Sequence, residues 1–179
     1  IDAIPLVSQT DYRDRALIGL MVFSFFRISA ALSLTIKDYE LRGSQRWLIG
    51  EEKGAKRHEM PVHPSLETYL DEYITFCGIT NPSSPLFQSG TPRGGNLTGR
   101  SFDRTAAWRM VRRRAKAAEV FRDIGNHSFR ATGITAYLNA GGSLEDARIM
   151  ANHSNATTTK LYDRTGDKIK VQEVNRIDI

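Results

Sequence analysis

The chain has one cysteine in 179 residues, Cys77, which excludes an internal disulfide framework and makes a reducing compartment the default. It lacks a bilayer-length apolar run. The longest such stretch, residues 17–26, lies between Arg15 and Arg27, well short of the roughly 20 residues that a spanning helix needs. It reads as a buried helix. No secretory signal opens the chain, which begins Ile1-Asp2-Ala3-Ile4-Pro5 without methionine and so reads as a segment of a longer protein. The acidic residues are scattered, in pairs such as Glu51-Glu52 and Glu145-Asp146, and no Cys/His spacing matches a zinc site. Metal-driven phosphate chemistry needs clustered carboxylates, so no metal is expected.

What is present is ordinary for a globular domain: 40% hydrophobic and 25% charged residues, enough chain for one domain with a real core. The formal net charge is +5 and the sequence pI is near 9.5, which suits a polyanionic partner without proving one.

The stretch with most chemistry runs from His127 to Arg164. His127 and Arg130 are spaced i, i+3, so a helix places them on one face. An arginine fork matches two phosphate oxygens, and a histidine exchanges protons near neutrality. His153 and Tyr162 close the stretch, after a break at residues 139–143 that separates two apolar-periodic segments. Taken alone, H-x-x-R is more often a cap-region histidine and a solvated arginine.

The rest of the chain reads as mainly helical α+β. Helices are expected over residues 11–26, 29–34, 64–77 and 103–118, the third from a Pro64-Ser65 start and a Gly78 stop. Short strands over 36–41, 46–49 and 58–62 form a small antiparallel sheet. Residues 81–97 read as an exposed loop, with Pro85-Leu86-Phe87 as a brief docking strand. On the 103–118 helix, Trp108, Val111 and Ala115 are expected inward and Arg109, Arg112, Arg113 and Lys116 outward. A one-signed charge run of that kind suits a DNA backbone. Arg27 ends an apolar helix inside the core, a costly place for a cation unless it meets an anion. A DNA phosphate is the leading candidate, with Asp38 or Glu40 as the structural alternative.

These residues, in this order, resemble the catalytic domain of the tyrosine recombinase (phage integrase) family. Residues 16–34, with Arg27, resemble its first-arginine motif, and the hairpin segment Gly50-Glu51-Glu52-Lys53-Gly54-Ala55-Lys56-Arg57 resembles its lysine turn, with Lys53 where the catalytic lysine would be. His127-Ser128-Phe129-Arg130 matches H-x-x-R, and the run from His153 to Tyr162 resembles the approach to its nucleophile. Three positions depart. Many members carry an acid where this chain has Ala30, a second His where it has Ala131, and a Gly where it has Asn152.

The resemblance implies the tyrosine recombinase catalytic fold, mainly α-helical with a three-stranded antiparallel sheet on one side. Residues 11–179 form that domain, residues 1–10 are a linker or boundary, and a separate N-terminal DNA-clamping domain is missing from this chain. It also implies a catalytic set of Arg27, Lys53, His127, Arg130, His153 and Tyr162, working without metal through a 3′-phosphotyrosine link. The implied partner is double-stranded DNA, bound by a homotetramer in the prokaryotic cytoplasm, at the nucleoid. Lys56, Arg57, Arg93, Arg100, Arg109, Arg112, Arg113 and Lys116 are candidate DNA contacts. The apolar positions of residues 168–179 suit docking on a neighbouring subunit or back on their own domain. A type IB topoisomerase-like relaxing enzyme and a catalytically silent DNA-binding module of the same fold remain alternatives.

Overall fold

A computed structural model describes residues 1–52, 54, 56–92, 95–153 and 156–163. The chain divides into two compact units, residues 1–133 and 134–179.

The first unit is built around helix α1, Gln9–Phe23. Ser8 caps it: its hydroxyl accepts the Asp11 N–H while the Asp11 carboxylate accepts the Ser8 N–H at 2.8 Å, a reciprocal capping box. From Arg13 to Met21 every α1 residue is buried, in keeping with a sequence that has no polar face from Ala16 to Phe23. Asp14, fully buried, is held by Arg13 at 2.5 Å, Arg113 at 3.0 Å and Arg114 at 2.8 Å. Helix α2, Ile28–Ser33, follows a sharp reversal at Phe25, whose φ of 55° is the left-handed region.

Three antiparallel strands then pair in the order β1 (Tyr39–Arg42), β2 (Gln45–Glu52) and β3 (Lys56–Pro61). Residues 36–38 form a 3₁₀ turn where a strand start is expected. Asp38 accepts the Thr35 N–H at 2.7 Å, and that local bond captures the backbone before the ladder begins.

Helix α3, Pro64–Cys77, has the bounds its start and stop signals predict; Gly78 ends it at φ 62°. It packs on α1 through Leu66, Leu70 and Tyr73, all fully buried; each such side chain contributes about 1.5–3 kcal/mol relative to an exposed one.

Residues 81–97 are less loop-like than expected. Leu86 and Phe87 are fully buried, with the Leu86 N–H donated to the Leu34 carbonyl at 2.8 Å, as a docking segment should be. Beyond them β4 (Gln88–Gly90) pairs with β5 (Leu97–Ser101). The backbone here is tied to α1, with Leu97 N–H donating to Gln9 Oε1 at 2.8 Å. Polar composition signals a loop, whereas tertiary hydrogen bonds make a ribbon. Helix α4, Arg104–Ala117, is capped by Asp103, which accepts the Ala106 N–H at 2.9 Å. Helix α5, Asn126–Asn139, crosses the division between the units.

The second unit continues with α6, Leu144–Met150, capped by Ser143, and the short α7, Ala156–Lys160. Among the described residues no helix is long and apolar enough to cross a membrane.

Candidate active site

Within the first unit, Arg27, His127 and Arg130 line one open cleft of about 810 Å³, together with Arg104, Trp108 and Asn126. Arg27 is the N-cap residue of α2, and His127 and Arg130 lie on the first turn and a half of α5. The i, i+3 spacing thus does what helical geometry requires, and brings both side chains to the arginine at the α1–α2 reversal.

Arg130 is not a solvated helix arginine. It is 1% exposed, and its Nη1 donates to the Phe25 carbonyl, the residue with left-handed backbone. A strained, buried carbonyl and a buried guanidinium therefore satisfy one another. Close approach of α5 to the end of α1 is possible because Gly133 has no Cβ; one built there falls 2.0 Å from the Val22 carbonyl oxygen.

The anion that meets Arg27 is a protein residue, neither Asp38 nor Glu40. Asp38 is engaged by Thr35, and Glu40 pairs with Arg42. Arg27 forms an ion pair with Glu52, the last residue of β2. Glu52 Oε1 also accepts the Arg27 backbone N–H at 3.0 Å and lies 3.5 Å from Arg130 Nη1 and 3.5 Å from His58 Nδ1. The His58 ring stacks on Phe26, with centroids 4.4 Å apart. Phe26 can lie against the sheet because Gly50, two residues before Glu52, leaves room: a Cβ there would sit 2.6 Å from the Phe26 ring. Two guanidinium groups share one buried carboxylate, leaving a formal excess of one positive charge facing the cleft.

His127 feels that excess. Partial withdrawal from water, then the charges of Arg130 and Arg27, hold its pKa below the ordinary 6.5, although one side of the residue remains open to solvent. At neutral pH the ring is therefore uncharged, with one nitrogen able to accept a proton.

In the second unit, His153 is buried and its Nδ1 lies 3.0 Å from the Thr159 hydroxyl, itself fully buried. Arg148 Nη1 donates to the His153 carbonyl at 3.0 Å. The His153 and Tyr162 rings are stacked, centroids 6.3 Å apart. Asn152 adopts φ 47°, a left-handed conformation that asparagine tolerates better than other residues with a Cβ, so the departure from glycine there keeps the turn.

Lys53 and Arg93 lie outside the described residues. Lys56, Arg57, Arg100, Arg109, Arg112, Arg113 and Lys116 are all exposed. Arg57 pairs with Glu59 at 2.5 Å, Arg112 with Asp123, and Arg113 with Asp14. Arg109 and Arg113 line a second recess, of about 690 Å³, away from Arg27. Trp108 departs from its expected inward position: it is 50% exposed, forms a wall of the cleft, and has the Arg112 guanidinium 5.8 Å from its ring centroid. A helix facing an open cleft needs no apolar seal on that side. Arg104, Glu52 and His58 are the residues the sequence does not single out. Arg104 only extends the basic run of α4, and the two others are hidden by strand parity. Among the described residues, no group of three or more His, Cys, Asp or Glu is placed to hold a metal ion.

The sequence model of the phage integrase family matches residues 1–168. The chain is 27% identical over 176 residues to tyrosine recombinase XerD of Corynebacterium glutamicum, covering 95% of this chain and 55% of that protein. It is 29% identical over 154 residues to a tyrosine recombinase of Synechococcus elongatus, covering 84% and 47%. Among solved structures, the fold superposes on the XerH site-specific recombinase bound to a palindromic difH substrate, with TM-score 0.73, 24% identity and coverage of 98% and 48%. It superposes on a lambda integrase dimer bound to a core site with TM-score 0.64, 18% identity and coverage of 95% and 59%. The chain spans about half the length of the curated relatives it matches.

Proposed function

This chain belongs to the phage integrase family, and on that footing we propose that it is the catalytic half of a site-specific tyrosine recombinase. The reaction is cleavage and rejoining of DNA strands without a metal. The Tyr162 oxygen attacks a backbone phosphorus, the bond to the 5′ oxygen breaks, and a 3′-phosphotyrosine link remains. The phenol proton passes to His127, whose neutral ring is suited to receive it, and the leaving 5′ oxygen takes a proton from Lys53. Arg27 and Arg130 hold the non-bridging oxygens and stabilise charge as the five-coordinate phosphorus forms. His153 hydrogen-bonds the same phosphate. Because the link conserves the bond energy, a second strand's 5′ hydroxyl reseals it, and no nucleotide cofactor is consumed.

The observation that carries this reading is the meeting of Arg27, Arg130 and His127 in one cleft with net positive charge, from positions a hundred residues apart. Arg104 in the cleft and the exposed cations of α4 and the β2–β3 hairpin extend the surface on which a duplex backbone would lie. Residues 11–179 are the catalytic domain on this reading. Two strand exchanges between paired sites require four copies of the full-length protein, acting on the nucleoid in the prokaryotic cytoplasm. Residues 168–179, the segment suited to docking on a neighbour, lie outside the described residues.

The test uses the full-length protein and a pool of randomised duplexes with internal nicks, which trap a covalent intermediate by releasing the short leaving strand. Protein-linked DNA is recovered under denaturing conditions and sequenced. Adducts that share a sequence and vanish in Tyr162→Phe support the reading. Binding without any adduct points to a catalytically silent module, and relaxation of supercoils without sequence preference to a topoisomerase-like enzyme.

A further inference from the structure

Helix α2 begins without the cap its neighbours have. Its N-cap residue is Arg27, which makes no side-chain cap bond, and its N3 residue is Ala30. Two other helical starts in the chain use a capping box with aspartate at N3. Asp11 receives the backbone N–H of the cap Ser8 at 2.8 Å, and Asp38 that of the cap Thr35 at 2.7 Å. At α2 no such acid exists. The Arg27 backbone N–H goes instead to Glu52 Oε1, at 3.0 Å, from a strand 25 residues further along the chain.

Glu52 does more than cap. Its side chain is 1% exposed, and the same carboxylate ion-pairs with the Arg27 guanidinium. It also lies 3.5 Å from Arg130 Nη1 and 3.5 Å from His58 Nδ1. Two guanidinium groups facing one cleft repel each other, and a single buried carboxylate between them fixes their separation while leaving one net positive charge. An acid at N3 of α2 would supply the cap from within the helix. Supplied from the sheet, the acid also ties the turn end of the β2–β3 ladder, where Glu52 pairs with Lys56, to both arginines.

We infer that Glu52 is the positioning carboxylate of this site, a role that rests on the recombinase reading above. It stands in for an absent N3 acid of α2, and it sets the register of Arg27, Arg130 and the β2–β3 hairpin around the scissile phosphate. It does not touch the phosphate. Its contribution falls on the rate of the bound complex.

The test compares the full-length protein with Glu52→Gln, Glu52→Asp and the double variant Glu52→Gln/Ala30→Asp, on a nicked duplex that the parent cleaves. Single-turnover cleavage at saturating protein and the Kd for the same duplex are measured separately. Glu52→Gln is expected to lose about 100-fold in single-turnover rate, the scale of an ångström-level misplacement of a catalytic group. Its Kd should be unchanged or tighter, since a negative charge has been removed beside the DNA. Glu52→Asp keeps the charge and retains more activity, and Ala30→Asp in the double variant recovers part of the loss. Hydrogen exchange at the Arg27 amide gives a second readout, faster in Glu52→Ala than in the parent. Parental cleavage by folded Glu52→Gln overturns the inference and leaves the recombinase reading intact. So does a loss shared equally by cleavage and binding, as expected of a merely structural residue. A parent that forms no Tyr162 adduct on any duplex sinks the recombinase reading, and this inference with it.

Discussion

Replacing Gly133 with alanine should destabilise the protein, against the usual sign for a glycine inside a helix. In an open helix interior that change gains about 0.5–1 kcal/mol. At Gly133 the new Cβ falls 2.0 Å from the Val22 carbonyl oxygen, 3.0 Å from the Val22 carbonyl carbon and 2.8 Å from Phe25 Cε1. Carbon and carbonyl oxygen settle at about 3.3 Å or beyond, so α5 must move off the end of α1 by roughly 1 Å. Two of the three contacts are backbone, so no rotamer change relieves them. Overpacking costs about 1–3 kcal/mol, and an overlap this deep against backbone belongs to the upper part of that range, about 2–3 kcal/mol, which leaves a net loss of about 1–2.5 kcal/mol after the propensity gain. For a chain of this size the melting temperature should fall by about 2–10 °C. The displacement also reaches the cleft. Arg130 lies one turn before Gly133 and donates to the Phe25 carbonyl, so the shift pulls its guanidinium from register, at a cost of up to about 100-fold in cleavage rate. Gly19→Ala is the internal control. The atoms nearest its Cβ are two of the Tyr69 ring, at 2.8 Å and 3.4 Å, and a Leu66 methyl at 3.6 Å, all of them side-chain atoms rather than backbone. Thermal melts followed by circular dichroism, together with single-turnover cleavage, decide the matter. A Gly133→Ala protein that melts at or above the parent and cleaves at the parental rate refutes the close-approach argument.

The pKa of His127 lies below its unfolded value, so between the two the unfolded chain binds more protons and stability rises with pH, becoming independent of this group above about 6.5. The urea midpoint of the parent should climb through that window relative to His127→Gln, and a parallel pair of curves would contradict it. Since Arg27 contributes to the depression, Arg27→Gln should raise the His127 pKa in an NMR titration, and an unmoved midpoint would remove Arg27 from its surroundings. Asn152→Val should cost about 1–2 kcal/mol because a β-branched residue resists the left-handed turn, whereas Asn152→Gly should stay within about 0.5 kcal/mol of the parent by denaturant melts. Arg104→Ala should weaken DNA binding and reduce the slope of log K against log salt by about 1, the signature of one lost phosphate contact; an unchanged slope would place Arg104 off the backbone.

The sequence reveals the elements whose signals are local. Proline and glycine bracket α3, aspartate caps α4, and H-x-x-R falls on one face of α5, all short-range consequences of capping and helical period. The family resemblance adds Arg27 to that face, although nothing local links the α1–α2 reversal to α5. What stays hidden depends on neighbours distant in the chain. Trp108 follows the apolar pattern of its helix, yet that side of α4 borders an open cleft, and only the tertiary arrangement reveals it. The β4–β5 ribbon is written in glycine, serine and proline, and its order comes from hydrogen bonds to Gln9 and Arg13 of α1.

Glu52 shows most clearly why the site is only partly legible. Along β2 the positions of Leu48, Gly50 and Glu52 share the buried face, while Glu51 is exposed opposite Arg57. Period-two alternation assigns one of the two adjacent glutamates to the core, but Trp47-Leu48-Ile49 is apolar on both faces, so the sequence leaves the parity open. A slip of one residue would put Glu51 inside and Glu52 in solvent. What resolves the parity is Gly50. Only a residue without a Cβ can lie 2.6 Å, at its Cβ position, from the Phe26 ring, and that fixes the inward side of the strand two residues before Glu52. The glycine that admits Phe26 therefore also selects which carboxylate reaches Arg27. A Gly50→Val substitution should damage the site as much through Glu52 as through the core. It should speed hydrogen exchange at the Arg27 amide along with that of the β2 amides, and an Arg27 amide that stays protected while β2 loosens would break the proposed link.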